Sequence, residues 1–218
     1  MIDFLLYINL FIYVYISMTK PILLLDLDNT LLHSINKEYT FFSHISQFDH
    51  AFDIVDYSSK FKKIHYTCVE RPGLSIFLEF CFKHFTVGIW TAANKHYTTQ
   101  IVQECFTNRG YTPQFILTNV HVELSKFTYD GVKNLEYILE NKDHLGIPEV
   151  SLESIIIIDD SISVKNTNGE CCISCSPFYI YKPASVTGNT TKLEFVSSSV
   201  DCRELERLMY CLITRFNI

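Results

Sequence analysis

The sequence predicts an α/β fold: a doubly wound parallel sheet with helices on both faces, a small β insertion and no large cap. Three observations carry this. Four apolar runs of strand length lack the polar alternation of a half-exposed sheet. Helical patterns separate them, as in a chain that crosses back over its own sheet. One stretch, about residues 36–70, breaks that rhythm with strand-like segments of its own.

Before the first strand, residues 1–18 (MIDFLLYINLFIYVYISM) form a separate, almost wholly apolar segment. It falls short of the roughly 20 apolar residues that a spanning helix needs. With Asp3 as the only charge ahead of Lys20, it lacks the basic start of a cleaved signal peptide. Two expectations stand: residues 4–18 anchor the chain to a membrane, with Lys20 favouring a cytoplasmic location for the remainder, or translation begins at Met18. Residues 19–218 are expected to form one domain, which suits a chain of 218 residues with 48% hydrophobic content.

The first strand is ILLL (22–25), which runs into Asp26, Leu27 and Asp28. FDIVDY and KKIHYTCVE then read as two strands around the polar turn SSKF. After the turn Arg71-Pro72-Gly73, LSIFLEFCFK predicts a helix, and FTVGIW (85–90) the second sheet strand, with Thr91 directly after it. KHYTTQIVQECFTNRG predicts a helix closed by Gly110, QFILT (114–118) the third strand, and VKNLEYILENKDHLG a helix that starts at Lys133 and ends on Gly146. SIIIID (154–159) is the fourth strand, and DCRELERLMYCLITRF a last helix with Asp201 as its N-cap.

Charge and cysteine content narrow the function. A net charge of -6 and a pI near 5.7 give no general drive toward nucleic acid or anionic lipid, so phosphate binding must come from a local cluster. No direct nucleic-acid contact is expected. The eight cysteines read as reduced thiols, because a chain this large and apolar needs no disulfide scaffold. Cys171, Cys172 and Cys175 lack the second pair that a zinc site requires.

In doubly wound sheets, ligands bind beyond the carboxyl ends of the strands. The residues just past each apolar run are therefore informative: Asp26 and Asp28 after the first, Thr91 after the second, Asp159 and Asp160 after the fourth, with Lys133 between the last two. Four carboxylates, a hydroxyl and a cation on one rim suit a divalent metal and a phosphoryl group.

DLDNTLLHS, ERPGLSIFLEF, IWTAAN, the YDGVKNL lysine and IIIIDDS, in that order, resemble the motifs of the haloacid-dehalogenase superfamily. Within it they are similar to the RNA polymerase II C-terminal-domain phosphatases and their small relatives. The resemblance implies a HAD-like fold, Mg²⁺, and hydrolysis of phosphoserine or phosphothreonine through an aspartyl-phosphate. It implies Asp26 as nucleophile and Asp28 as proton carrier. Mg²⁺ would lie on Asp26, the backbone carbonyl of Asp28 and Asp160. Lys133 would pair with the nucleophile or a phosphoryl oxygen, and Thr91 would donate a hydrogen bond to another. The implied partner is a phosphoprotein, including an RNA polymerase C-terminal tail, and the implied location is cytoplasmic or nuclear.

The chain departs from the family pattern at Asn29, where Glu is usual, and at Asp160, where Asn is usual. The second change makes both Asp159 and Asp160 candidate metal ligands. Residues 162–200 match the family poorly. Arg71 is expected to assist only from its turn, and His33 to pack or support rather than bind metal. The interval of about 60 residues between Asp28 and Thr91 is too short for a helical cap that seals in a metabolite, which favours a protein segment as substrate. Two other readings stand beside this one: a phosphatase for small-molecule or nucleic-acid phosphates, and a catalytically silent, membrane-tethered binding module.

Overall fold

Ile22, Leu23, Leu24 and Leu25 are completely buried because β1 (Ile22–Leu25) is the middle strand of a five-stranded parallel sheet. In this computed structural model the described residues are 20–39, 45–58, 62–124, 131–147, 150–187, 190–197 and 202–218. The apolar segment 1–18, residues 59–61 of the SSKF turn and the expected cap Asp201 lie outside them. Three antiparallel strands come after β1: β2 (Leu32–Asn36), β3 (Ala51–Asp56) and β4 (Ile64–Glu70), in the order β2-β4-β3. The parallel sheet is completed by β5 (Thr86–Trp90), β6 (Ile116–Leu117), β7 (Ile155–Asp159) and β8 (Cys172–Ser174), in the order β6-β5-β1-β7-β8. A hairpin of β9 (Tyr181–Thr187) and β10 (Thr190–Phe195) is a separate two-stranded sheet, with Tyr181 and Phe195 in a small core shared with Ile35 and Val69.

Side chains alternate across a strand, so the central strands feed two cores. Leu23 and Leu25, with Val87, Ile89, Ile156 and Ile158, face one layer. That layer contains helices α1 (Leu74–His84) and α2 (Lys95–Cys105) and the C-terminal helix (Glu204–Phe216). Ile22 and Leu24, with Trp90, Ile155 and Ile157, face the other. A short helix, α3 (Asn119–Leu124), comes after β6; α4 (Glu136–Glu140) and α5 (Ile162–Asn168) pack on the second face, and the C-terminal helix becomes α6. Gly88 has a steric reason: a Cβ there would lie 2.6 Å from the Phe115 ring and 2.9 Å from Leu24.

The expected strands and helices form, with ends shifted by up to a few residues, except around Lys133. Residues 132–146 do not make one helix: only Glu136–Glu140 is helical, and turns lead to Gly146, whose φ is +63°. The start is delayed because Asn168 ties down the approach, its side chain donating to the Lys133 carbonyl (2.7 Å) and accepting from the Leu135 N–H (2.9 Å). The side chain of Asn134 takes the N–H of Glu136 (3.0 Å). Lys133 thus stands ahead of the helix rather than on its first turn. QFILT contributes only Ile116 and Leu117 to the sheet edge. β2, β8, α3, α5 and the β9–β10 hairpin are elements beyond those the sequence predicts. No helix among the described residues is long and apolar enough to cross a membrane.

Candidate active site

β1 ends in a tight reversal. The Leu27 carbonyl accepts from the N–H groups of Thr30, Leu31 and Leu32 (3.2, 2.8 and 3.2 Å), and Asn29 adopts a left-handed φ of +61°. Asn is among the residues that tolerate this region, so the departure at 29 fits the backbone. The reversal sends the chain into β2 and leaves Asp26 and Asp28 at the carboxyl end of the sheet. It is clamped by Arg71, only 1% exposed, whose guanidinium donates to the carbonyls of Asn29 (3.1 Å) and Ser176 (2.5 Å) and to Cys175 Sγ (2.9 Å). The guanidinium also lies 5.1 Å from the centre of the Phe178 ring. Arg71 is therefore a structural clamp on the loop backbone, not a group reaching from its turn toward a ligand. His33 sits behind the loop with Nδ1 3.1 Å from Asn29 Oδ1, a supporting position as expected.

Asp26, Asp28, Thr91, Lys133, Asp159 and Asp160 all line one cavity of about 300 Å³ at this rim. Lys133 joins two of them: its ammonium donates to Asp26 Oδ1 and to Asp159 Oδ2, each at 2.6 Å, and the residue is only 6% exposed. Burial pulls the Lys133 pKa down, but the charges of Asp26 and Asp159 outweigh it and hold the ammonium above its ordinary value. The other oxygen of Asp26 accepts from Thr30 Oγ1 (2.9 Å), so both carboxylate oxygens are fixed. Asp159 is pushed upward, first by burial and then by the charge of Asp26, against the pull of Lys133; its second oxygen accepts from the Ser161 N–H (2.8 Å).

Asp28 and Asp160 are both raised to about 6. Burial is the main cause for Asp28, opposed by the hydrogen bond from the Tyr97 hydroxyl and reinforced by Asp26. For Asp160, burial comes first, then the charges of Asp26 and Asp159. A carboxyl titrating near 6 is matched to giving and taking a proton near neutrality. Thr91 accepts from the Ala93 N–H (3.1 Å), which leaves its own hydroxyl hydrogen to donate.

Carboxylate oxygens of Asp26, Asp159 and Asp160 lie within 4.8 Å of one another. Among the described residues, these three carboxylates share one ammonium, and the charges of Asp26 and Asp159 help to raise Asp160. Hard, negatively charged oxygen donors fit Mg²⁺. The cysteines offer no comparable cluster among the described residues: all eight are free, and burial pushes the thiols of Cys172 and Cys175 up to about 12.

Three contributors were not predicted. Thr30 lies inside the opening motif, yet its bond to Asp26 depends on how the loop turns. Ser34 and Tyr97, whose hydroxyls meet beside Asp28, come from β2 and α2 and carry no local signal.

Residues 21–201 match the NLI interacting factor-like phosphatase family. The chain is 30% identical over 157 residues to the CTD phosphatase-like protein 355R of Invertebrate iridescent virus 6, covering 71% of this chain and 84% of the viral one. It is 28% identical over 190 residues to the protein of the same description in Invertebrate iridescent virus 3, covering 84% and 96%. Among solved structures, a variant of the fission yeast RNA polymerase II CTD phosphatase Fcp1 bound to beryllium fluoride superposes with a TM-score of 0.58 at 15% identity, over 89% of this chain and 50% of that one. A second Fcp1 structure gives 0.55 at 16% identity, over 89% and 49%. The chain spans about half the length of these solved chains. The likeness to them concerns the fold. With the match across most of its length, the chain belongs to the NLI interacting factor-like phosphatases, a CTD phosphatase-like family with a HAD-like fold.

Proposed function

We propose that the chain is a magnesium-dependent phosphatase that hydrolyses phosphoserine or phosphothreonine in a protein segment through an aspartyl-phosphate on Asp26. The observation that carries this reading is the buried Lys133 bridge between Asp26 and Asp159, beside Asp28, Thr91 and Asp160. A structural ion pair needs no such company of open carboxyls and a hydroxyl facing one cavity.

A carboxylate oxygen of Asp26 attacks phosphorus, and the bond to the seryl or threonyl oxygen breaks. Protonated Asp28 gives its proton to that departing oxygen. In the second step Asp28 takes a proton from water, the water oxygen attacks phosphorus, and the bond to Asp26 breaks to free phosphate. An ammonium has three donors. Lys133 uses two on Asp26 and Asp159, and the third serves a phosphoryl oxygen, with the Thr91 hydroxyl on another. Asp26, Asp160, Asp159 and the backbone carbonyl of Asp28 would hold Mg²⁺, which when bound neutralises charge between an attacking carboxylate and a phosphate dianion.

We read residues 19–218 as the catalytic domain and about 36–70, with β3 and β4, as a rim insertion that pairs with β2. A small sheet in place of a helical cap leaves room for an extended segment, and an RNA polymerase C-terminal tail is one that suits it. Such a substrate implies the cytoplasm or nucleus.

The test is phosphate release from a phosphoserine peptide. Activity is expected with Mg²⁺, none with a chelator, and a fall of about 10³-fold or more in Asp26→Asn. Equal activity in the variant removes Asp26 from its role. Faster turnover of a sugar phosphate or a nucleic-acid end reassigns the substrate, and tight peptide binding without turnover replaces the enzyme with a binding module.

A further inference from the structure

The phenol of Tyr97 is buried in the first turn of α2 and donates to Asp28 Oδ1. Three contacts hold it there. The backbone N–H of Tyr97 is capped by the Asn94 side chain (3.0 Å), and Asn94 in turn donates to Asp56 of β3 (2.9 Å). The ring meets Tyr66 of β4 edge to face, with centroids 5.5 Å apart and planes at 82°. Its hydroxyl touches Ser34 Oγ on β2, which is also 3.2 Å from the thiol of Cys68, the residue opposite it in the β2–β4 pairing. Strands β2 and β4 thus meet the phenol directly, β3 reaches the Tyr97 backbone through Asn94, and the phenol touches Asp28.

A carboxyl turns over a broad, roughly two-fold well when nothing holds it. A proton carrier must instead present one oxygen to the departing atom, and misplacement of a catalytic group is costly in rate. We infer that Tyr97, steadied by Ser34, is a positioning residue for Asp28: it occupies Oδ1, so that Oδ2 is the oxygen that carries the proton to the leaving group. This rests on the phosphatase reading above and deepens it. In the first step the Oδ2–H bond breaks, the proton passes to the seryl oxygen as its bond to phosphorus breaks, and the Tyr97 proton stays on the phenol. The antiparallel sheet becomes a mount for the acid as well as a rim for the substrate.

The test compares two leaving groups. A phosphoserine peptide releases an alkoxide that needs a proton, whereas 4-nitrophenyl phosphate releases a stabilised phenolate that does not. Tyr97→Phe should lower kcat/KM, which reports the first displacement and not the shared second step, by about tenfold or more on the peptide, within the range that acid catalysis supplies. On 4-nitrophenyl phosphate the loss should stay within about threefold. Ser34→Ala, which removes a hydrogen bond to Asp28 along with the contact that steadies the phenol, should show the same pattern at smaller amplitude. Equal losses on both substrates, or no loss on the peptide, overturn the positioning role. Wild-type protein that turns over neither substrate removes the phosphatase reading and the positioning role with it.

Discussion

Replacing Lys133 by Met keeps most of the side-chain volume and removes the cation that bridges Asp26 and Asp159. Both bonds are 2.6 Å and all three residues are buried, so the variant retains two neighbouring carboxylates without the cation that pairs them. Removing one member of a buried pair costs about 3–5 kcal/mol, chiefly as the penalty of the charge left behind. For a chain of this size, 1 kcal/mol moves the melting temperature by about 2–4 °C, which sets the expected drop at roughly 10 °C in metal-free buffer. Urea unfolding monitored through Trp90, the chain's only tryptophan and fully buried, should show a lower midpoint with an unchanged slope. The deficit should narrow as pH falls into the raised range of Asp159, since a protonated carboxyl no longer needs the cation. Adding Asp159→Asn to Lys133→Met should recover part of the loss, because it removes one of the stranded charges. A variant with wild-type stability in metal-free buffer, or a double variant weaker than Lys133→Met alone, would refute the bridge as the element that holds these carboxylates together.

Two further outcomes are expected from other parts of the fold. Burial depresses His33 from 6.5 to about 4, so the unfolded chain takes up a proton that the folded chain refuses between those values. Stability should fall as pH drops from about 6.5 to 4, by up to about 3 kcal/mol from this residue, and His33→Gln should flatten that part of the curve in denaturant titrations. Gly88→Val puts carbon atoms where the Phe115 ring and Leu24 already sit, and should lower the unfolding free energy by about 1–3 kcal/mol or more with no direct effect on the rim.

Much of the rim was legible because of periodicity. An apolar run without polar alternation has nowhere to go but a sheet buried on both faces, and in a parallel sheet its carboxyl end is where ligands bind. Asp26, Asp28, Thr91, Asp159 and Asp160 could be placed on one edge from that rule alone. Lys133 was found by its order in the chain but set on a helix that starts three residues later. Asn168, more than thirty residues away, supplies the hydrogen bonds that delay it, and no local pattern reports them. β2 and β8 were illegible for a similar reason: LHSIN and CIS are short and weakly patterned, and become strands because a partner edge is already there.

The sequence by itself determined the class of fold, the edge on which the carboxylates gather and the kind of ligand such a collection suits, because these depend on short-range periodicity and residue chemistry. Only the tertiary structure decided how the charges are shared. Lys133 bridges Asp26 and Asp159, Asp160 is left with raised affinity for its proton, and Tyr97 arrives from another helix to hold Asp28. It also turned Arg71 from a candidate helper into a buried clamp on the loop backbone. Distances of a few ångströms between residues far apart in the chain set each of these outcomes, and such distances exist only once the two cores have packed.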